Sequence, residues 1–232
     1  MFLERLRTHT NFKFEELYFA VQDIHGQFAV LSFAVKLMQD TLMTKNVVFL
    51  GDYIDRGPNS FGVVTNLYLA LRKNPSWVAL IGNHELMLIE NIEQQTVPIS
   101  ENSLLESCSG TNLTFCYRFF KSLPTYHETE HLIFVHGGVD KSYLKVISEI
   151  NYQELVWTYG VNPRYTGKKI ARGHEVVDSP TEYTNNIACQ TALFHGVKKF
   201  CISIIANCSS NKKLLGYLQI DLESLNCELV LI

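Results

Sequence analysis

The chain has 232 residues, 47% of them apolar, and a formal net charge of −3. That composition buries one sizeable core and requires no second one, so a single domain over residues 1–232 is expected. A weakly acidic chain offers no basic stripe to nucleic acid, and apolar runs such as residues 200–206 fall far short of the ~20 residues that cross a bilayer.

Taken in chain order, short β-branched and aromatic runs at 17–21 and 47–50 predict buried strands, each ending beside a polar segment. Between them Phe28, Leu31, Val35, Met38 and Leu42 fall at alternating spacings of three and four, the apolar stripe of an amphipathic helix. Val63, Leu67, Ala70 and Leu71 repeat that pattern after Pro58, a residue suited to a helix entry, and both stripes read as core. Further strands are expected at 77–81, 132–135 and 169–171. Residues 91–110, polar and carrying Pro98, predict a long loop that either borders a substrate cleft or is a solvated connection. After Ala188, runs at 200–206, 214–220 and 227–232 read as successive strands, which a second, more antiparallel sheet would explain. Strand, polar loop and helix alternate near the start, the pattern of α/β folds that gather polar groups at strand ends.

Six cysteines without a CxxC pair argue against a zinc finger or disulfide framework. With no apolar leader after Glu4, Arg5 and Arg7, a cytoplasmic protein is expected, although export without a signal stays open.

Five segments carry the chemistry: DIHG at 23–26, GDYIDRG at 51–57, GNHE at 82–85, HGG at 136–138 and RGH at 172–174. Asp23 and His25 are two apart at a strand end, so in an extended segment both side chains leave one face and can grip one cation. Asp52 follows a strand and Gly51. Its two carboxylate oxygens can serve two cations, which makes it the candidate bridge. Asp55 and Arg56 lie on the turn to the next helix. Asn83 offers a neutral amide oxygen, and His84 beside it is placed near the ions without binding them. His136 and His174 each follow a predicted strand as further ligands, with Gly137 and Gly138 leaving room for a close ligand.

In content and order these segments resemble the signature of the phosphoprotein phosphatase family within the calcineurin-like metallophosphoesterases, over roughly residues 18–196. The resemblance implies an α/β fold, an αββα sandwich of two mixed β-sheets flanked by helices. It implies two divalent metal ions, manganese most readily and iron or zinc otherwise: Asp23, His25 and Asp52 on one, and Asp52, Asn83, His136 and His174 on the other. It makes His84 the proton donor, Asp55 its partner and Arg56 part of the phosphate clamp. The partner implied is a phosphoprotein or small phosphate ester, with no nucleic acid and no membrane.

Two cations about 3.5–4 Å apart would acidify a shared water for in-line attack on phosphorus. His84 would protonate the departing alkoxide, a contribution of about 10²–10⁴ in rate.

The chain departs from the family pattern in three places. Gln22 replaces the usual glycine before Asp23. The family's DTG segment falls on Cys189, Gln190 and Thr191, with Cys189 read as a buried structural thiol. Trp157 is followed by Thr158 and Tyr159 where bacterial relatives carry a phosphate-binding arginine shortly after, which leaves Arg164 as a candidate. A metal-dependent serine/threonine phosphatase is thus the leading expectation. A symmetrical diadenosine tetraphosphate hydrolase on the same scaffold is the alternative, weakly disfavoured by HGG at 136–138. A non-catalytic docking module, motivated by Gln22 and the altered DTG segment, comes third.

Overall fold

The computed structural model describes residues 13–96, 108–190, 199–209 and 213–232, together with Glu4 and Leu104. Strand β1 (Leu17–Val21) alternates as its sequence does: Leu17, Phe19 and Val21 pack towards helices, and Tyr18 and Ala20 towards a second sheet. The first apolar stripe becomes helix α1 (Phe28–Lys36), prolonged by a π-helical turn over Leu37–Leu42 that ends on left-handed Met43. Leu31, Val35, Met38 and Leu42 are buried, whereas Phe28 at the helix entry stays partly exposed.

Strand β2 (Val47–Phe49) pairs parallel with β1 and leads to helix α2 (Ser60–Lys73). Pro58 lies just outside this helix. Asn59 starts it, its Oδ1 accepting the Gly62 N–H at 2.8 Å and so satisfying an otherwise orphaned donor. Strand β3 (Val78–Ala79) extends the parallel run into helix α3 (Asn83–Gln94), and helix α4 (Gly110–Lys121) follows. The expected loop over 91–110 therefore begins as helix through Gln94, and 97–103 and 105–107 lie outside the described residues.

A second, mixed sheet holds β4 (Tyr126–Glu128), β5 (Leu132–Val135), β6 (Lys169–Arg172), β7 (Thr181–Glu182) and β8 (Asn186–Ala188), in the order β4-β5-β6-β8-β7. Helix α5 (Tyr152–Trp157) covers its outer face with Leu155, beside Val139 and Ile150.

The C-terminal strands β9 (Lys199–Ala206), β10 (Leu214–Asp221) and β11 (Cys227–Leu231) pair antiparallel as read, but they do not form a separate sheet. Strand β9 adds onto β1, with Phe19 opposite Ile204 and Val21 opposite Ile202, giving one six-stranded sheet β11-β10-β9-β1-β2-β3. The reason lies in β9 itself. It is apolar on both faces, Ile202 and Ile204 meeting the helical layer and Ile205 the other sheet, so it suits a central position rather than an edge.

The layers run α1–α4, first sheet, second sheet, α5: the expected sandwich of two mixed sheets between helices. Between the sheets Ala20, Val48 and Ile205 meet Leu132, Phe134 and Ala171, and burying each larger apolar side chain is worth about 1.5–3 kcal/mol. Strands β1, β2 and β3 run parallel in one sheet, and β5 and β6 in the other. Their carboxyl ends deliver the five polar segments, as open α/β sheets do with their sites.

Candidate metal centre and active site

Asp23, Asp52, Arg56, Asn83, His84 and His174 line one cleft of about 560 Å³, which is also walled by Met87, Trp157, Tyr159, Val176 and Gln190. Backbone strain is concentrated there. Of the eight non-glycine residues with positive φ among those described, five are predicted site residues: His25 (45°), Asp52 (52°), Asp55 (66°), Arg56 (63°) and His174 (59°). Such conformations cost of order 1–3 kcal/mol each, and they persist where surrounding contacts dictate the backbone.

Asp52 sits between two groups of ligand atoms. Those of His25, Asp52 and His84 lie within 4.8 Å of one another, as do those of Asp52, His136 and His174. One carboxylate oxygen is 3.5 Å from His25 Nε2, and the other 3.4 Å from His136 Nε2. Both imidazoles are oriented from behind. His25 Nδ1 is 3.0 Å from the Ile54 carbonyl and His136 Nδ1 2.8 Å from the Leu50 carbonyl, so each Nδ1–H donates to backbone and leaves the Nε2 lone pair facing Asp52. Burial lowers the pKa of His25 and of His174 to about 4, and lowers that of His136, so all three imidazoles are neutral at neutral pH. Burial alone would raise Asp52. The imidazoles of His136, His84 and His25 outweigh it and hold the carboxylate well below its usual range.

Several unsatisfied atoms test whether this set fits divalent cations. Asp23 is 1% exposed, neither of its carboxylate oxygens has a partner of ordinary hydrogen-bond geometry, and burial followed by the charge of Asp52 pushes its pKa up. The buried His174 Nε2 likewise has no partner. The Asn83 side-chain oxygen lies 2.9 Å from His136 Nε2, 3.1 Å from His174 Nδ1 and within 3.2 Å of both Asp52 oxygens, so it faces acceptors alone unless the amide turns over. Buried acceptors converging without donors are costly, and a cation among them removes that cost. Carboxylate, imidazole and amide donors suit manganese, iron or zinc alike. Asp23 falls outside both three-residue groups: its Oδ1 is 3.9 Å from His136 Nδ1, against Gly173.

His84, a member of the first group, also has its Nδ1 2.7 Å from Asp55 Oδ2. Burial disfavours the imidazolium, but the Asp55 hydrogen bond and the Asp52 charge prevail, and the His84 pKa lies above the ordinary histidine value. Arg56 spans the two imidazoles outside, Nη1 3.2 Å from His25 Nε2 and Nη2 3.0 Å from His84 Nε2. Arg164 is exposed on a turn where its backbone N–H bonds Asn162 Oδ1, and it does not line the cleft.

Glu85 has no role in the motif reading, yet it organises the centre. Fully buried, its carboxylate accepts backbone N–H groups from Asp52 (2.9 Å), Tyr53 (2.8 Å), Ile54 (3.3 Å) and Gly82 (3.0 Å), tying helix α3 to the loop that carries Asp52. Burial, with the nearby Asp52 charge, pushes its pKa up to about 8. The available signal was positional: Glu85 is the third helical residue after Gly82, where a glutamate reaches back to the helix entry. Gln190, another unassigned residue, presents a buried and unpartnered Oε1. Cys189 is buried between the sheets, and burial raises its pKa to about 11, as suits a structural thiol. Thr191 and residues 192–196 of the altered DTG segment lie outside the described residues.

Gly137 and Gly138 do not open space for a ligand. A Cβ on Gly137 would stand 2.7 Å from the Val156 carbonyl oxygen, and one on Gly138 1.7 Å from that of Gly160. The room is taken by the last turn of α5 and the backbone after it, which the glycines admit against the His136 segment.

Two mixed sheets thus bring a cluster of carboxylate and imidazole groups to their strand ends. Residues 21–196 match the calcineurin-like phosphoesterase family, and the chain belongs to it. Among curated relatives, it is 31% identical over 170 residues to "Serine/threonine-protein phosphatase SIT4" of Candida albicans, covering 62% of this chain and 52% of that one. It is 29% identical over 175 residues to "Serine/threonine-protein phosphatase PP1-1" of Saccharomyces cerevisiae, covering 65% and 55%. The chain thus spans about half the length of these relatives. A solved Saccharomyces cerevisiae serine/threonine phosphatase with similarity to human phosphatase PP5 superposes with a TM-score of 0.61 at 18% identity, covering 95% of this chain and 80% of that one. A putative diadenosine tetraphosphatase superposes at 0.59 and 16%, covering 89% and 94%. At these identities the superpositions speak for the fold. No helix among the described residues is long and apolar enough to cross a membrane.

Proposed function

We infer that this chain is a metal-dependent phosphoprotein phosphatase of the serine/threonine type, hydrolysing phosphate monoesters by direct attack of water on phosphorus. The observation that carries the reading is Asp52, whose two oxygens face two separate groups of imidazoles. Asp23, His25 and Asp52 would hold one divalent cation, and Asp52, Asn83, His136 and His174 the other. Two such ions supply charge neutralisation for the phosphoryl oxygens and acidify water near neutral pH.

The chain's own groups do the rest. His25 and His136 present fixed Nε2 lone pairs because backbone carbonyls occupy their Nδ1 protons. Arg56 offers a planar fork of donors to the phosphoryl oxygens, fixing which face of the phosphorus meets water. Once Arg56, whose Nη2 lies 3.0 Å from His84 Nε2, turns to the phosphoryl oxygens, His84, its imidazolium favoured by Asp55, can deliver a proton from Nε2 to the departing ester oxygen. The relatives named as serine/threonine phosphatases support the phosphoprotein class of substrate.

Incubation with manganese, first with p-nitrophenyl phosphate and phosphoserine peptide and then with diadenosine tetraphosphate, tests this reading. Phosphate release from the monoesters supports it. Rapid ADP formation without monoester turnover would support the dinucleotide hydrolase, and no turnover of any ester would leave a docking module.

A further inference from the structure

Asp55, the partner of His84, is gripped from two directions. Its Oδ2 is 2.7 Å from His84 Nδ1, and its Oδ1 accepts the backbone N–H of Leu104 at 3.1 Å, from a point 49 residues further along the chain. Asp55, His84 and Leu104 are all buried, so both bonds lie in the interior, where they are stronger than in water. The Asp55 backbone is fixed as well: its own N–H donates to Ser60 Oγ at 2.9 Å, at the start of α2. What that backbone leaves free is rotation of the carboxylate, a torsion with broad minima. One bond to an imidazole keeps this rotation soft, and a second bond on the other oxygen fixes the plane.

The side chain of Leu104 delivers that second bond. In the polar stretch between α3 and α4 it is a leucine with no exposed surface, and it belongs to the core cluster that also holds Leu86, Cys116 and Phe120. Burying such a side chain is worth about 1.5–3 kcal/mol, against about 0.5–1.5 kcal/mol for an ordinary hydrogen bond. Packing therefore sets where residue 104 lies, and its amide follows.

We propose that Leu104 is a positioning residue for the proton donor: its buried side chain seats the connection between α3 and α4 so that its backbone N–H locks the Asp55 carboxylate, and through it the His84 ring. The proposal rests on the reading of His84 as proton donor and deepens it. The locked ring keeps Nε2 towards the cleft, where Arg56 Nη2 meets it at 3.0 Å. As the P–O bond breaks, its electron pair stays on the ester oxygen, which takes the Nε2 proton and leaves as a neutral alcohol. A ring that rocks with a loosened carboxylate delivers that proton less often, and misplacement by about 1 Å can cost about 100-fold. Attack on phosphorus does not use this pair.

The test separates a leaving group that needs a proton from one that does not. Wild type, Leu104→Pro, Leu104→Ala, Leu104→Met and His84→Ala are assayed with manganese on a phosphoserine peptide, whose alkoxide must be protonated, and on p-nitrophenyl phosphate, whose phenolate departs without one. Metal content and circular dichroism are recorded for each. Leu104→Pro removes the N–H, and Leu104→Ala keeps it but loosens its seat. Each should lose about tenfold in kcat on the phosphopeptide and less than twofold on p-nitrophenyl phosphate, with KM and manganese content near wild type, and Leu104→Met should match wild type. His84→Ala should lose at least about tenfold more on the phosphopeptide than on p-nitrophenyl phosphate. Should Leu104→Pro fail to fold, Leu104→Ala decides. Equal losses on both substrates, or none, in folded Leu104→Ala while His84→Ala discriminates between them, would overturn the role of Leu104 and leave His84 as donor. Absence of discrimination in His84→Ala would overturn both, and failure of wild type on both esters would overturn the phosphatase reading with them.

Discussion

Glu85 Oε2 accepts the backbone N–H of Asp52 at 2.9 Å, so the residue shared by both ligand groups is positioned by a carboxylate on the adjoining helix. The same carboxylate fixes Tyr53, Ile54 and Gly82, and so holds Asp52 in its strained left-handed conformation. Glu85→Gln replaces one acceptor by a donor facing backbone N–H groups. It should cost about 1–3 kcal/mol in denaturant unfolding and weaken manganese retention. Unchanged stability and metal content would remove Glu85 from this role.

His84→Ala should reduce kcat on phosphate monoesters by about 10²–10⁴-fold while manganese content stays near wild type. Asp55→Asn, which keeps a partner 2.7 Å from the imidazole but removes its charge, should fall between the two. Elemental analysis beside steady-state kinetics separates proton donation from ligation. Loss of metal in step with activity would make His84 a ligand, as its place in one three-residue group also permits.

Much of this arrangement was legible in the sequence, because it is local. Strands β1 and β5 coincide with their expected residues, and the apolar stripes containing Leu31 and Leu67 became helices. What escaped was tertiary. The pairing of Phe19 with Ile204 decides which sheet β9 joins, and no period within residues 200–206 encodes a partner. Gly137 and Gly138 read as ligand space because the segment that fills it comes twenty residues later. Glu85 follows two expected functional residues, and its importance lies in the backbone it accepts from over thirty positions away. The left-handed conformations of Asp52 and His174 were likewise not legible: aspartate and histidine tolerate that region better than most residues, but their type alone does not place them in it.

Gly138→Ala would place a methyl group 1.7 Å from the Gly160 carbonyl oxygen, backbone against backbone. A loss of at least about 1–3 kcal/mol is expected, seen as a lower unfolding midpoint. Gly110→Ala, where a Cβ meets nothing within 4 Å, controls for substitution as such but retains the strain of φ 57°. A milder loss there than at Gly138 is the expected order.

His127 packs against Tyr18 and Phe134, with ring centroids 6.2 and 6.0 Å away, and burial lowers its pKa below the ordinary 6.5. The unfolded chain then binds a proton at a higher pH than the folded one. Its contribution to stability is present above pH 6.5 and is lost as pH falls through the depressed folded value. His127→Phe should flatten part of the decline in unfolding midpoint between about pH 7.5 and 5. An unaltered slope would show that His127 titrates alike in both states.

The central claim, that one aspartate serves two cations, is tested most directly by counting metal. After equilibrium dialysis against manganese, elemental analysis should find two ions per wild-type chain and fewer than one per chain of Asp52→Asn. A single ion in wild type, or two retained without the Asp52 carboxylate, would contradict it.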